Sequence, residues 1–220
     1  VVEMNSTTGD LDLDEGTLWA FPSADSATPS LVVRRSGSST SELLWNSPGS
    51  RLSAWQGGTL DIQIPVSGTF AGEASVYADS VLRIADPVVA GPGSEVRLIG
   101  SNQIDEVAPR FEAPVVDLYG SLVVTLDTVI DSPFVALRGA GTFNEHSDLD
   151  LQSTAVILDS FNAAAGTGEG GNIRFDGTQT LHVIGGTTQV STGWFGLFDL
   201  DGHGDMTVNI ADGSALVLDV

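Results

Sequence analysis

Residues 172–220 read NIRFDGTQTLHVIGGTTQVSTGWFGLFDLDGHGDMTVNIADGSALVLDV. Short apolar-alternating runs of about four to six residues are broken by Gly, Asp or Thr, the punctuation expected of strands and tight turns. Arg174, His182, Val190, Phe198, Val208 and Val217 sit near the centres of successive runs, roughly eight to ten residues apart. Small turns recurring at a near-constant pitch mark a chain coiling round an axis. Three such runs make a turn of about twenty-five residues, a three-sided rung. Inward positions would carry Val, Leu, Ile and Phe, and outward ones Thr, Asp, Asn, Gln and His.

Working outward, the same texture reaches back to Gly57. In TLDIQIPV, Leu60, Ile62 and Ile64 face one way and Asp61 and Gln63 the other, with Pro65 ending the run. EVRLIG, VVDLYGSLVVTLDTVIDSPFVALRG and SDLDLQSTAVILDS continue the pattern. Residues 102–114 are polar and irregular and read as an inserted loop, and FNAAAGTGEGG reads as a flexible Gly/Ala loop. Residues 1–56 are less regular. They hold an acidic strand pattern around Leu11 and Leu13, a Ser/Pro-rich stretch, and a turn-rich segment between Trp45 and Trp55. No segment sustains a helical period. The expectation is an all-β protein: a right-handed parallel β-helix over 57–220 with an irregular β segment or cap over 1–56. The alternative is an antiparallel β-sandwich or jelly roll, whose hairpins the Asp176-Gly177, Asp201-Gly202 and Asp212-Gly213 pairs would suit.

Composition narrows function. The chain has 220 residues, 29 acidic against 8 basic, a formal charge of −21, and no Cys. All eight basic residues are Arg. Such a field repels phosphate backbones and anionic membrane surfaces, so neither nucleic acid nor a membrane is expected as a partner. Without Cys there are no disulfides, thiolate–zinc sites or thiol catalysis. No apolar segment is long enough to span a bilayer as a helix. The abrupt start at Val1-Val2 and the stop inside an alternating run suggest a mature or excised piece of a longer protein.

Runs such as GGNIRFDGTQTLHVIGGTTQV, FDLDGHGDMTVNIADGSALVLDV and GSLVVTLDTVIDSPFVALRGAGTF resemble the degenerate repeats of large bacterial exported β-solenoids, among them autotransporter passenger domains and filamentous-haemagglutinin-like adhesins. The resemblance is one of texture, without a diagnostic motif, and covers Gly57 to Val220. It implies a right-handed parallel β-helix at a bacterial or archaeal cell surface or outside the cell, serving adhesion or assembly.

The sharpest local motif is Asp199-Leu-Asp201-Gly202-His203-Gly204-Asp205. Oxygen ligands at alternate positions with a turn-permitting Gly resemble the opening of a calcium loop, which makes Asp199, Asp201 and Asp205 candidate metal ligands and calcium the candidate ion. His203 stands where an oxygen belongs, and Ile210 where the bidentate acid belongs; the competing reading is a polar turn. Asp10, Asp12, Asp14 and Glu15, and the pair Asp148 and Asp150, are the carboxylate clusters to weigh for glycoside hydrolysis. Polysaccharide lyases of β-helical fold would want a Lys or Arg base. Lys is absent, and Arg83, Arg97, Arg110, Arg138 and Arg174 show no clustering in sequence. His146, His182 and His203 lack metal-binding spacing. Trp194, Phe195 and Phe198 could form a sugar platform or a buried plug. No catalytic residue is assigned.

The expected function is therefore a non-catalytic extracellular structural or adhesive module, its partners other copies of itself or cell-surface polysaccharides. The alternatives are a carbohydrate-active module (lyase, hydrolase or binding domain) and a viral or phage structural protein. A lateral cleft lined by acids, Arg and aromatics would favour sugar work; a smooth prism with sticky ends would favour assembly.

Overall fold

The computed structural model describes residues 2–4, 9–13, 16–20, 30–55, 57–76, 80–99, 110–144, 147–165, 173–176, 179–191 and 206–218. All regular structure among them is strand. In chain order the first ten are β1 (Val2–Met4), β2 (Leu11–Asp12), β3 (Thr17–Ala20), β4 (Ser30–Arg35), β5 (Leu43–Ala54), β6 (Thr59–Gln63), β7 (Val66–Val76), β8 (Val81–Ile84), β9 (Val88–Ile99) and β10 (Arg110–Glu112). The remaining ten are β11 (Val116–Thr125), β12 (Thr128–Asp131), β13 (Phe134–Phe143), β14 (Leu149–Gln152), β15 (Ala155–Ala165), β16 (Ile173–Asp176), β17 (Gln179–Ile184), β18 (Thr187–Ser191), β19 (Met206–Ile210) and β20 (Ala215–Leu218).

Two sheets share these strands. One has eight strands in the order β1-β4-β6-β8-β10-β12-β14-β16; the other has twelve, along β19-β17-β15-β13-β11-β9-β7-β5-β2 with β3, β18 and β20 attached. Over β4 to β16 the chain alternates between the sheets, and each strand pairs in parallel with the one two places on. Every described ladder is parallel, so the antiparallel sandwich or jelly roll is set aside. The Asp-Gly pairs do not close hairpins between described strands: Asp212-Gly213, for example, turns the chain from β19 to β20, which pair with β17 and β18 rather than with each other. The sheets also run unbroken past residue 56, since β4 pairs β6 and β5 pairs β7.

Parallel register turns the alternation of each strand into columns. Leu31, Leu60, Leu82, Phe111, Ile130, Leu151 and Phe175 are successive partners in the first sheet. All but the half-buried Leu31 are buried. In the second sheet Val88, Val116, Val135, Val156 and Leu181 form one column and Ala90, Leu118, Leu137, Leu158 and Val183 another. These columns belong to a single apolar cluster that includes both sheets. Each fully buried Leu, Ile or Val contributes about 1.5–3 kcal/mol relative to exposure.

The corners are made by polar and imino residues. Pro65, Pro87, Pro114 and Pro133 each stand one or two residues before a second-sheet strand, where a missing N–H costs no ladder bond. Ser132 and Ser153 are buried at two successive corners, and their hydroxyls donate to Phe134 O at 2.8 Å and Ala155 O at 2.9 Å. Three segments depart from expectation. Arg110–Glu112 is a strand of the first sheet rather than loop, because one inward residue, Phe111, suffices to fill its column. Phe161–Ala165 lies within β15, with Phe161 and Ala163 buried, and the segment from Trp45 to Ala54 lies within β5, whose register shifts absorb its turn residues.

Aromatic rings pack closely against Gly141. A Cβ there would stand 2.5 Å from Phe161 Cζ and 3.1 Å from Phe143 Cε2. Gly141→Ala is expected to lower stability by about 1–3 kcal/mol in the wild-type background. In a Phe161→Ala background the same change should be neutral or stabilising, because the added methyl then fills a void. A denaturant-melting double-mutant cycle checks this; additive effects would contradict the packing described.

Candidate functional site

The second-sheet strands bend midway, and the bends align. Positive φ occurs at Gly120 (147°), Gly139 (84°), Ser160 (51°) and Gly185 (75°) on successive strands or the turn between β17 and β18. Gly120 and Gly139 are direct partners, and a Cβ on Gly139 would stand 2.6 Å from Gly120 O. A Cβ on Gly185 would overlap the Asp159 carboxylate. The missing side chains therefore allow the bend and also admit Asp159. Ser160, a non-Gly residue in left-handed conformation, donates from Oγ to Gly185 O at 2.8 Å, which helps to hold a conformation that is otherwise costly.

Beside this column three charged side chains meet. Arg138 Nε donates to Asp117 Oδ1 at 2.9 Å and Nη2 to Asp117 Oδ2 at 3.4 Å, while Nη1 donates to Asp159 Oδ2 at 2.5 Å. All three are roughly a quarter exposed. Hydrogen bonding to Asp117 raises the Arg138 guanidinium above its ordinary pKa. Burial opposes the rise, and the charge of Asp117 with the bond to and charge of Asp159 reinforce it. A cation with a raised folded pKa contributes stability at every pH below its unfolded value and loses it only as pH climbs through the raised one. Arg138 thus stays charged far into alkali.

The three line an open hollow of about 510 Å³ together with Val89, Ala90, Tyr119, Gly139 and Ser160. Tyr119 is 45% exposed and Val89 57%. A second hollow, of about 370 Å³, lies over the first sheet at Arg83, Glu112, Pro114, Asp131 and Pro133. There Arg83 pairs with Glu112 at 2.7 Å and Arg110 with Asp131 at 2.9 Å.

The candidates read from sequence fall as follows. Asp199, Asp201, Asp205, His203, His146, Asp14, Glu15, Trp194, Phe195 and Phe198 lie outside the described residues. Ile210 is in β19, paired with Val183. Asp10 accepts the Glu42 backbone N–H at 2.9 Å, and Asp12 lies in β2. Asp148 and Asp150 are half-buried, and the Asp148 N–H donates to Asp127 Oδ1 at 2.9 Å. His182 lies in the same outward column as Ile157 and Asn209. Arg83, Arg110 and Arg138, scattered in sequence, are each held by a carboxylate from a neighbouring strand. Among the described residues no group of three His, Cys, Asp or Glu is placed to hold a metal ion, and no helix is long and apolar enough to cross a membrane.

The hollow itself was missed by reading the runs one at a time. Its signal was the separation of 21 residues between Asp117 and Arg138 and again between Arg138 and Asp159. Comparison of the chain with family models, curated proteins and solved structures gives no match.

Arg138→Ala would leave Asp117 and Asp159 facing each other without their shared cation. Stability is expected to fall by about 1 kcal/mol at low ionic strength, since the network is partly solvated, and the deficit should change with salt. Arg138→Lys should recover only part of it, because one ammonium cannot match a forked guanidinium. Urea melts at two salt concentrations check this; an Arg138→Ala variant as stable as wild type in low salt would contradict it.

Proposed function

We propose that the chain is a β-solenoid, wound as a right-handed parallel β-helix, and that it serves as a non-catalytic structural or adhesive module outside the cell or at its surface. The observation that carries this reading is the parallel pairing of each strand with its counterpart one repeat further on. Support for a non-catalytic role comes from the outward carboxylates. Glu112, Asp117, Asp131 and Asp159 bind arginines, and Asp10 and Asp127 accept backbone N–H groups. A cysteine-free surface carrying a formal charge of −21 suits a soluble assembly in an oxidising or salty medium.

A second copy docking end to end is part of the same proposal. Val208 and Ile210 in β19 continue the inward columns of Leu181 and Val183, yet are 44% and 52% exposed. A further parallel strand along that edge would bury them, and head-to-tail docking of copies propagates such a contact into rods. Calcium held near Asp199, Asp201 and Asp205 remains part of the proposal, as a bridge between acidic faces.

Duplicating residues 134–154 adds one ladder repeat, because Phe134 pairs with Ala155. A solenoid should accept it with cooperative melting and an equal or higher Tm, whereas duplicating 134–143 alone should unfold the chain. Equal damage from both insertions would sink the solenoid reading. Electron microscopy over a concentration series should show rods of constant width that lengthen, and Val208→Asp with Ile210→Asp should abolish the lengthening. Compact single particles throughout, with and without calcium, would sink the assembly reading.

A further inference from the structure

We propose that the hollow beside the bend column is a binding site for a neutral oligosaccharide. Its lining combines two chemistries. The exposed Val89 and Tyr119 supply apolar surface; Asp117, Arg138, Asp159 and Ser160 supply hydrogen-bonding groups. A sugar ring has the matching two characters, a face of C–H groups and a rim of hydroxyls that both donate and accept. An exposed aromatic ring with a polar handle suits the first, and ionised groups give strong hydrogen bonds to the second.

The site is built in advance of any ligand. Arg138 is held from both sides by carboxylates, so little side-chain freedom is lost on binding. Its bonds to Asp117 and Asp159 use three of the five N–H donors of a guanidinium, and the carboxylate oxygens keep further lone pairs. The polar row draws on β11, β13 and β15, three strands about 4.8 Å apart, and so runs roughly 10 Å across the sheet, enough for two sugar rings. Next to Tyr119 β9 departs from register: Leu118 pairs with Ala90 but Gly120 with Ser94, leaving three residues of β9 opposite Tyr119 alone.

Charge decides among ligands. Two carboxylates and one guanidinium leave the hollow negative within a chain of formal charge −21, which opposes uronates and sulfated glycans. The hollow is open, and its described acids are taken up by arginine, which suits reversible binding more than bond cleavage. The proposal supplies a partner for the adhesive role but stands on different residues. Failure here would leave the rung-duplication result untouched, and the reverse holds too.

Isothermal titration and NMR of the full chain with cellotetraose, mannotetraose, maltotetraose and galactotetraose test it, with trigalacturonate and a short oligolysine as charged counterparts. At least one neutral tetraose should bind saturably and shift the Tyr119 and Arg138 signals. Tyr119→Ala should weaken that binding by about tenfold or more, and Tyr119→Phe much less. Val89→Asp, on an exposed outward position in register with Asp117, should weaken it comparably while like-charge repulsion lowers the Tm only modestly, and a retained cooperative melt separates a lost ligand from a lost fold. The proposal is overturned if no neutral tetraose binds, if trigalacturonate or oligolysine binds more tightly than all of them, or if Tyr119→Ala and Val89→Asp, both folded, bind as wild type does.

Discussion

Parallel hydrogen bonding between neighbouring strands is the constraint on which the rest depends. It sets residues of like orientation about 4.8 Å apart in columns that run across each sheet. Inside, such columns are mostly apolar, as Leu60, Leu82, Phe111, Ile130 and Leu151 illustrate. Outside, two carboxylates on adjacent strands repel by roughly 1 kcal/mol even in a water-like medium and more where partly buried. With 29 acids and 8 arginines, that repulsion must be met locally. Arg83 does so for Glu112, Arg110 for Asp131, and Arg138 for two carboxylates at once. A forked guanidinium can bridge acids from strands on either side of its own, which an ammonium does poorly. The exclusive use of Arg as the basic residue is consistent with that demand.

The lateral hollow follows from the same stacking. Four aligned positive-φ positions bend the second sheet, and three of them are glycines. The space left at Gly185 is the space Asp159 occupies. Asp159 and Asp117 together then fix Arg138. Backbone geometry, the ion-pair network and the hollow are thus one construction.

Much of the strand pattern was legible locally. Leu60, Ile62 and Ile64 inward with Gln63 outward is a period of two that needs no tertiary information. The runs centred on Arg174, His182 and Val190 are β16, β17 and β18. Local reading failed where strands were short or interrupted. Arg110–Glu112 has one inward residue, too few to show alternation. Phe161–Ala165 carries small residues because its inward Ala163 partners Gly141. The turn residues after Trp45 are bulged within β5 without ending it.

The sequence by itself determined the alternation of apolar and polar residues, the turn chemistry that bounds each run, and the strongly acidic net charge. Only the tertiary structure decided which run lies on which. The separation between partners ranges from nineteen residues for Val116 and Val135 to thirty-four for Thr17 and Arg51, because the connections between paired strands differ in length. A regular count of about twenty-five therefore cannot place side chains in columns. Asp117, Arg138 and Asp159 are unremarkable polar residues along the chain. They become a site because backbone hydrogen bonding between distant strands sets them side by side.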